Sequence, residues 1–258
     1  MRLMKRILSA AAVLALSASL LVGCSSGTAS SVPVSASSAA ESTVSSVEET
    51  ASSAVDENEA AAAQLLNDLT GSYQELWPVI LADEYKQTWL EDGPALVGED
   101  NAEAAFEKLS SMVTGDVYGE DAVKAYANGG GAYFCGFTNS LATLTFDGET
   151  STISGTDKDG NVLFSHAYHY IGMEPVRGLY EFESDDADSG EFTYFFLAPD
   201  TSAETYHIEF RYGSDAEALS QYDAGEYAYW LASGISTDCD QTMIDNCIEL
   251  FCTENLAG

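Results

Sequence analysis

Apolar residues recur at three- and four-residue spacings through the first part of the folded region, and at alternate positions through its middle. Ala60 to Leu69 and Tyr73 to Leu90 carry the helical spacing, with Pro78 as a break or a helix start. Ala102 to Val113 and Asp121 to Ala127 continue it and end at the glycine triplet 129–131. The period then changes. Leu141 to Phe146, Ser151 to Ser154, Val162 to Ile171, Gly178 to Phe182, Phe192 to Ala198 and Thr205 to Tyr212 are short and rich in Tyr, Phe, Thr, Ile and Val. Turn clusters such as Asp147-Gly148, Asp159-Gly160 and Asp188-Ser189-Gly190 separate them, which predicts successive hairpins. Helices over Asp215 to Gln221 and Asp240 to Thr253 close the chain. The order predicts an α+β fold that is mainly β: an up-and-down barrel or curled sheet with flanking helices.

The start of the chain follows a different pattern. Arg2, Lys5 and Arg6 precede the uncharged apolar run Ile7 to Val22, which at 16 residues is short for a membrane span and reads as a secretory signal. Its end, Leu21-Val22-Gly23-Cys24, resembles the lipobox of bacterial lipoproteins. That resemblance implies cleavage after residue 23, lipidation of Cys24 and an extracytoplasmic protein anchored in a bacterial membrane. Residues 24–60 follow as a Ser- and Ala-rich stretch without aromatic residues, expected to be a tether. Residues 61–258 are then one domain by length. No later segment is long and apolar enough to span a bilayer.

Charge narrows the partners. The chain has 9 basic and 42 acidic residues, a formal net charge of −33, and three of its cations lie in the leader. Six scattered Lys and Arg cannot make the basic face that nucleic acid requires. The same imbalance disfavours charge-driven binding to anionic lipid and favours cations.

Histidine is the scarcest chemical resource, limited to His166, His169 and His207. A spacing of three places His166 and His169 on opposite faces of one strand. His207 shares its strand face with Glu209. Cys135, Cys239, Cys247 and Cys252 match no zinc framework. Outside the cytoplasm they predict one disulfide, Cys239 with Cys247 or with Cys252, and otherwise buried thiols. Asp157-Lys158-Asp159-Gly160-Asn161 has its glycine too early for a calcium loop and reads as a hairpin turn. Asp185, Asp186 and Asp188 read as a solvated turn. No nucleophile, base and acid set names a reaction, so a binding protein is expected and not an enzyme.

Three ordered blocks resemble the ZinT family of extracytoplasmic zinc-binding proteins, which also occurs as the C-terminal domain of AdcA-type lipoproteins. They are Leu69 to Asp83 (LTGSYQELWPVILAD), Arg177 to Glu183 (RGLYEFE), and the run from Phe192 to Ser236 with FTYFFLAPD, AETYHIEFRYGSD and EYAYWLASGIS. The resemblance implies a lipocalin- or calycin-like antiparallel barrel with zinc as ligand and a metal ABC transporter as partner. The family's three ligand histidines fall on Phe195, Thr205 and His207. The set expected to hold metal is therefore His207 with His169 or His166, and with Glu209 and Glu204 adding oxygen. The alternative is a metal-free barrel that binds a small apolar or sugar-like ligand, motivated by Phe195 between Tyr194 and Phe196.

Overall fold

The computed structural model describes residues 57–93, 97–98, 100–198 and 207–256. The expected leader, Cys24, nearly all of the tether, Glu204 and Thr205 lie outside these residues. Among the described residues no helix is long and apolar enough to cross a membrane.

Eight antiparallel strands close into a barrel in simple sequential order: β1 Gly71–Glu75, β2 Thr143–Asp147, β3 Thr152–Thr156, β4 Val162–Met173, β5 Tyr180–Ser184, β6 Tyr194–Leu197, β7 His207–Gly213 and β8 Ala232–Ser236. Closure comes from β1, which pairs with β2 through Ser72 and Thr145 and with β8 through Gln74 and Ile235. The expected up-and-down barrel with flanking helices is what the chain forms.

A helix over 57–68 (α1) lays Ala62, Leu65, Leu66 and, just beyond it, Leu69 onto the barrel core, the spacing of a single helical face. The β2–β3 turn lies against it. A Cβ on Gly148 would stand 2.4 Å from the Cα of Asn67, so only glycine fits there. Helices α2 Trp77–Ile80, α3 Lys86–Asp92, α4 Ala102–Val113 and α5 Glu120–Ala127 lie between β1 and β2. Helix α6 Ala216–Leu219 follows β7, capped by the Asp215 side chain, and α7 Gln241–Leu256 ends the described chain. Asp240 caps α7 by accepting from the Met243 amide at 3.0 Å.

Two departures from the expected elements matter. The helix expected over Tyr73 to Leu90 is instead β1, α2, a 3₁₀ turn at Asp83–Tyr85 and α3. Tyr73 is buried between the half-buried Ser72 and Gln74, a period of two, and Ser72 Oγ and Thr145 Oγ1 lie 2.8 Å apart across the sheet. The second is β8, Ala-Ser-Gly-Ile-Ser, which is buried on both faces and so shows no alternation at all.

Two separate cores result. The lumen is filled by inward side chains, among them Phe146, Phe182, Phe195, Phe210, Tyr212 and Trp230, all almost fully buried. Gly155 leaves room for one of them, since a Cβ there would meet the Phe164 ring at 2.4 Å. The second core is outside the barrel wall. There Ile235 joins a cluster with Leu76, Trp77 and Ile80, Trp89 of α3, Leu109 of α4, and Ile244, Cys247, Ile248, Phe251 and Cys252 of α7.

The expected disulfide is corrected by this arrangement: all four described cysteines are free thiols. Cys239 lies just before α7, and Cys247 and Cys252 lie within it. The thiols serve packing instead, three of them buried in the second core.

Candidate functional site

Strand β7 divides the candidate chemistry between the two faces of the wall. Ile208, Phe210 and Tyr212 point into the lumen core, and His207, Glu209 and Arg211 alternate with them on the outer face. That outer face is covered. Helix α7 lies over its first end, with the Phe251 and His207 ring centroids 5.3 Å apart, and His207 is only 6% exposed. Glu209 is half-buried beside it, and its charge is felt by two thiols of the second core. Burial first, then Glu209, pushes Cys135 up to about 12. Burial, then Cys239 and Glu209, pushes Cys247 up to about 12. Both are therefore neutral thiols at ordinary pH, and they are not set up as thiolate ligands.

The other end of β7 is held by a buried guanidinium. Arg211 donates to the backbone carbonyls of Leu219 and Tyr227 and, at 3.4 Å, to that of Gln221, and it lies 4.4 Å from the Tyr222 ring. Arg177, from the β4–β5 connection, lies 4.2 Å from the same ring. Tyr222 in turn donates to Glu174 at 3.4 Å, whose carboxylate also accepts from the Val176 and Arg177 amides. This cluster ties the segment after α6 to the barrel.

Strand β4 carries the other two histidines, and they lie on opposite faces as expected. His166 shares the inward face with Phe164 and Tyr168, with ring centroids 5.9 and 6.5 Å away. His169 faces out, directly across from Glu183 on β5. The acidic turn after β5 aims one carboxylate at each. His166 Nδ1 donates to Asp186 Oδ2 at 2.7 Å, and His169 Nδ1 donates to Asp185 Oδ1 at 2.7 Å. The turn is fixed by the Asp185 amide on the Ala167 carbonyl and by Ser189 Oγ on Ser184 Oγ and the Asp186 carbonyl. Asp185 and Asp186 are exposed, as the solvated turn predicts, and each also accepts from a histidine. The signal that finds them is a pair of adjacent acids just past a strand that pairs with His-x-x-His.

The five residues expected to hold metal are thus not gathered at one point. His207 and Glu209 sit together outside the wall on β7, His166 and His169 lie on the two faces of β4, and Glu204 is outside the described residues. Among the described residues no three His, Cys, Asp or Glu side chains come together as a metal-holding group. Phe195, where the resemblance puts a ligand histidine, faces the lumen and packs on Phe164, Tyr168, Phe210 and Tyr212, with centroids 5.3–6.3 Å apart. It is on the opposite side of the wall from His207. These rings belong to the packed core of the lumen. Asp157 accepts the Asp159 and Asn161 amides at 2.9 Å and the Asn161 side chain, as a closed hairpin turn does.

No protein-family model matches the chain, and no curated relative does. Among solved structures it is similar to the Zn(II)-bound ZinT-like domain of Streptococcus pneumoniae AdcA, at 16% identity and a TM-score of 0.45, over 71% of this chain and 89% of that one. Zn(II)-bound AdcA from the same organism gives 16% identity and a TM-score of 0.41, and this chain spans only 35% of its length. The barrel described above rests on its own strand registers.

Proposed function

We propose that the chain is a membrane-anchored extracytoplasmic protein that captures or buffers a divalent metal, zinc first, for uptake through a metal ABC transporter. It is read as a binding protein without catalysis. One observation carries the proposal: His207 and Glu209 lie two residues apart on the outer face of β7, under α7, where an imidazole nitrogen and a carboxylate can turn to one ion. Tetrahedral zinc takes three or four donors, and in this reading Glu204, three residues before His207, supplies oxygen as a further one. The acidic composition adds long-range attraction for cations. Cys24 would hold the domain to the membrane.

The experiment is equilibrium zinc binding to the chelator-stripped protein, wild type beside His207→Ala and Glu204→Gln. The proposal expects one tight equivalent in wild type, absent from His207→Ala and weakened in Glu204→Gln. A tight equivalent that survives His207→Ala unchanged would place the site elsewhere, and no saturable zinc would end the metal reading.

A further inference from the structure

Three of the large apolar side chains that the described residues leave exposed lie close together, at the hairpin that joins β4 to β5. Ile171 is 40%, Met173 41% and Val176 65% exposed, and Pro175 among them is exposed too. The chain carries 42 acids, yet between Val162 and Tyr180 the only one is Glu174. That carboxylate is 1% exposed. It folds back against the turn, accepting the Val176 amide at 2.8 Å, the Arg177 amide at 2.6 Å and the Tyr222 hydroxyl at 3.4 Å. The backbone of the tip is closed in the same way. The Glu174 amide donates to the Leu179 carbonyl at 2.8 Å, the Gly178 amide donates to the Glu174 carbonyl at 2.9 Å, and Pro175 has no N–H. Every backbone donor from Glu174 to Gly178 is therefore satisfied inside the hairpin. Such a tip can leave water without stranding a donor or a charge, the condition that an apolar phase imposes on any backbone entering it. At the base of the hairpin Tyr170 and Tyr180 are half-buried, with ring centroids 6.0 Å apart. Aliphatic side chains at the tip with tyrosines behind them are the order that a membrane interface selects.

We infer that this hairpin docks on the surface of a lipid bilayer, with Ile171, Met173 and Val176 entering the boundary between headgroups and acyl chains. The inference rests on the reading of the chain as membrane-anchored, and the position of the hairpin agrees with that reading. By strand direction the β4–β5 turn lies at the end of the barrel where β1 starts, directly after α1. Burial first, then Tyr180, Glu181 and Glu59, raises the Tyr170 hydroxyl above its ordinary pKa, so the first turn of α1 is close to the hairpin base. The tether proposed to start at Cys24 leads into α1. Three partly exposed side chains make a weak contact by themselves. An anchor strengthens it by holding the hairpin at high effective concentration beside the bilayer. Docking then gives the barrel a fixed orientation on the membrane in place of tumbling on its tether.

The test puts a reporter at the tip. Val176→Trp in the full chain is mixed with excess phosphatidylcholine vesicles whose acyl chains carry bromine near the headgroup. The three native tryptophans are buried, so quenching reads the added one. Val162→Trp, at the opposite end of β4, is the control, and flotation of the same samples reads the anchor separately. The Val176→Trp emission is expected to shift to the blue and to be quenched, while Val162→Trp is not. Met173→Asp added to Val176→Trp abolishes both changes with an unchanged melting temperature. A chain that floats while Val176→Trp stays unquenched keeps the anchor and overturns the docking, as does equal quenching at both positions. A chain that does not float but is quenched at the tip keeps the docking and overturns the anchor. Dimerisation that Val176→Asp abolishes, with no quenching, assigns the patch to a second copy and overturns the inference.

Discussion

Replacing Phe195 by histidine sets the resemblance against the geometry. The resemblance places a zinc ligand at this position, so Phe195→His would complete two donors of three with His207. The structure points the side chain into the lumen at 0% exposure, with four aromatic rings around it and the barrel wall between it and His207. Losing the buried phenyl group forfeits about 1.5–3 kcal/mol. An imidazole N–H left without an acceptor among those rings adds about 1–3 kcal/mol. The expected loss is therefore about 2.5–6 kcal/mol, a large part of the roughly 5–15 kcal/mol typical of a domain. Phe195→Leu, which keeps the site apolar, should lose only about 1–2 kcal/mol. Urea unfolding followed by tryptophan fluorescence measures both, and zinc titration of the folded variant measures the gain in affinity. A Phe195→His protein of wild-type stability that binds an additional tight zinc would show that residues 195 and 207 share a site, and the assignment of faces along β6 and β7 would be wrong.

Other consequences can be checked alongside. Arg211→Met removes the donor to the carbonyls of Leu219, Gln221 and Tyr227, and a loss on the order of 3 kcal/mol is expected, with hydrogen exchange rising first over 219–227; uniform exchange across the barrel would contradict it. Burial holds Cys135, Cys247 and Cys252 at about 12 against an ordinary 9.0, so the folded state keeps protons that the unfolded chain releases. The resulting stability is whole below pH 9 and is lost as pH rises toward 12; melting temperatures across that window should fall, less steeply in Cys135→Ala/Cys247→Ala, and a flat profile would refute it. Thiol titration of the native protein should modify Cys239 first, being the one described cysteine not buried, and an intact mass two hydrogens short of the reduced chain would show a disulfide instead.

The sequence exposed the barrel wherever a strand has one face inside and one outside. Strands β2 and β3 alternate between buried and half-buried positions, and Asp147-Gly148 and Asp159-Gly160 mark the turns that follow them, so these hairpins are legible in the sequence within a few residues. The closing strands are not. Gly71–Glu75 offers a single apolar residue, Tyr73, before helical spacing takes over from Trp77, and Ala232–Ser236 is small-residue and buried on both faces, so it carries no alternation. The site was legible in kind more than in place. Spacing alone separated His166 from His169 and joined His207 to Glu209. It could not reveal that α7 covers the outer face of β7, because that depends on where a helix docks after the barrel has closed. Nor could it aim Asp185 and Asp186 at the two histidines, since the β4–β5 register brings together residues 16 and 20 positions apart.

The central claim is that metal is held outside the barrel wall, at His207 and Glu209 under α7. Anomalous scattering at the zinc edge, from crystals of the stripped protein grown with one equivalent of zinc, tests it most directly. The account predicts a principal peak bonded to the His207 ring and flanked by Glu209, with no peak in the lumen at Phe195. A principal peak inside the barrel, or none within bonding distance of His207, would contradict it.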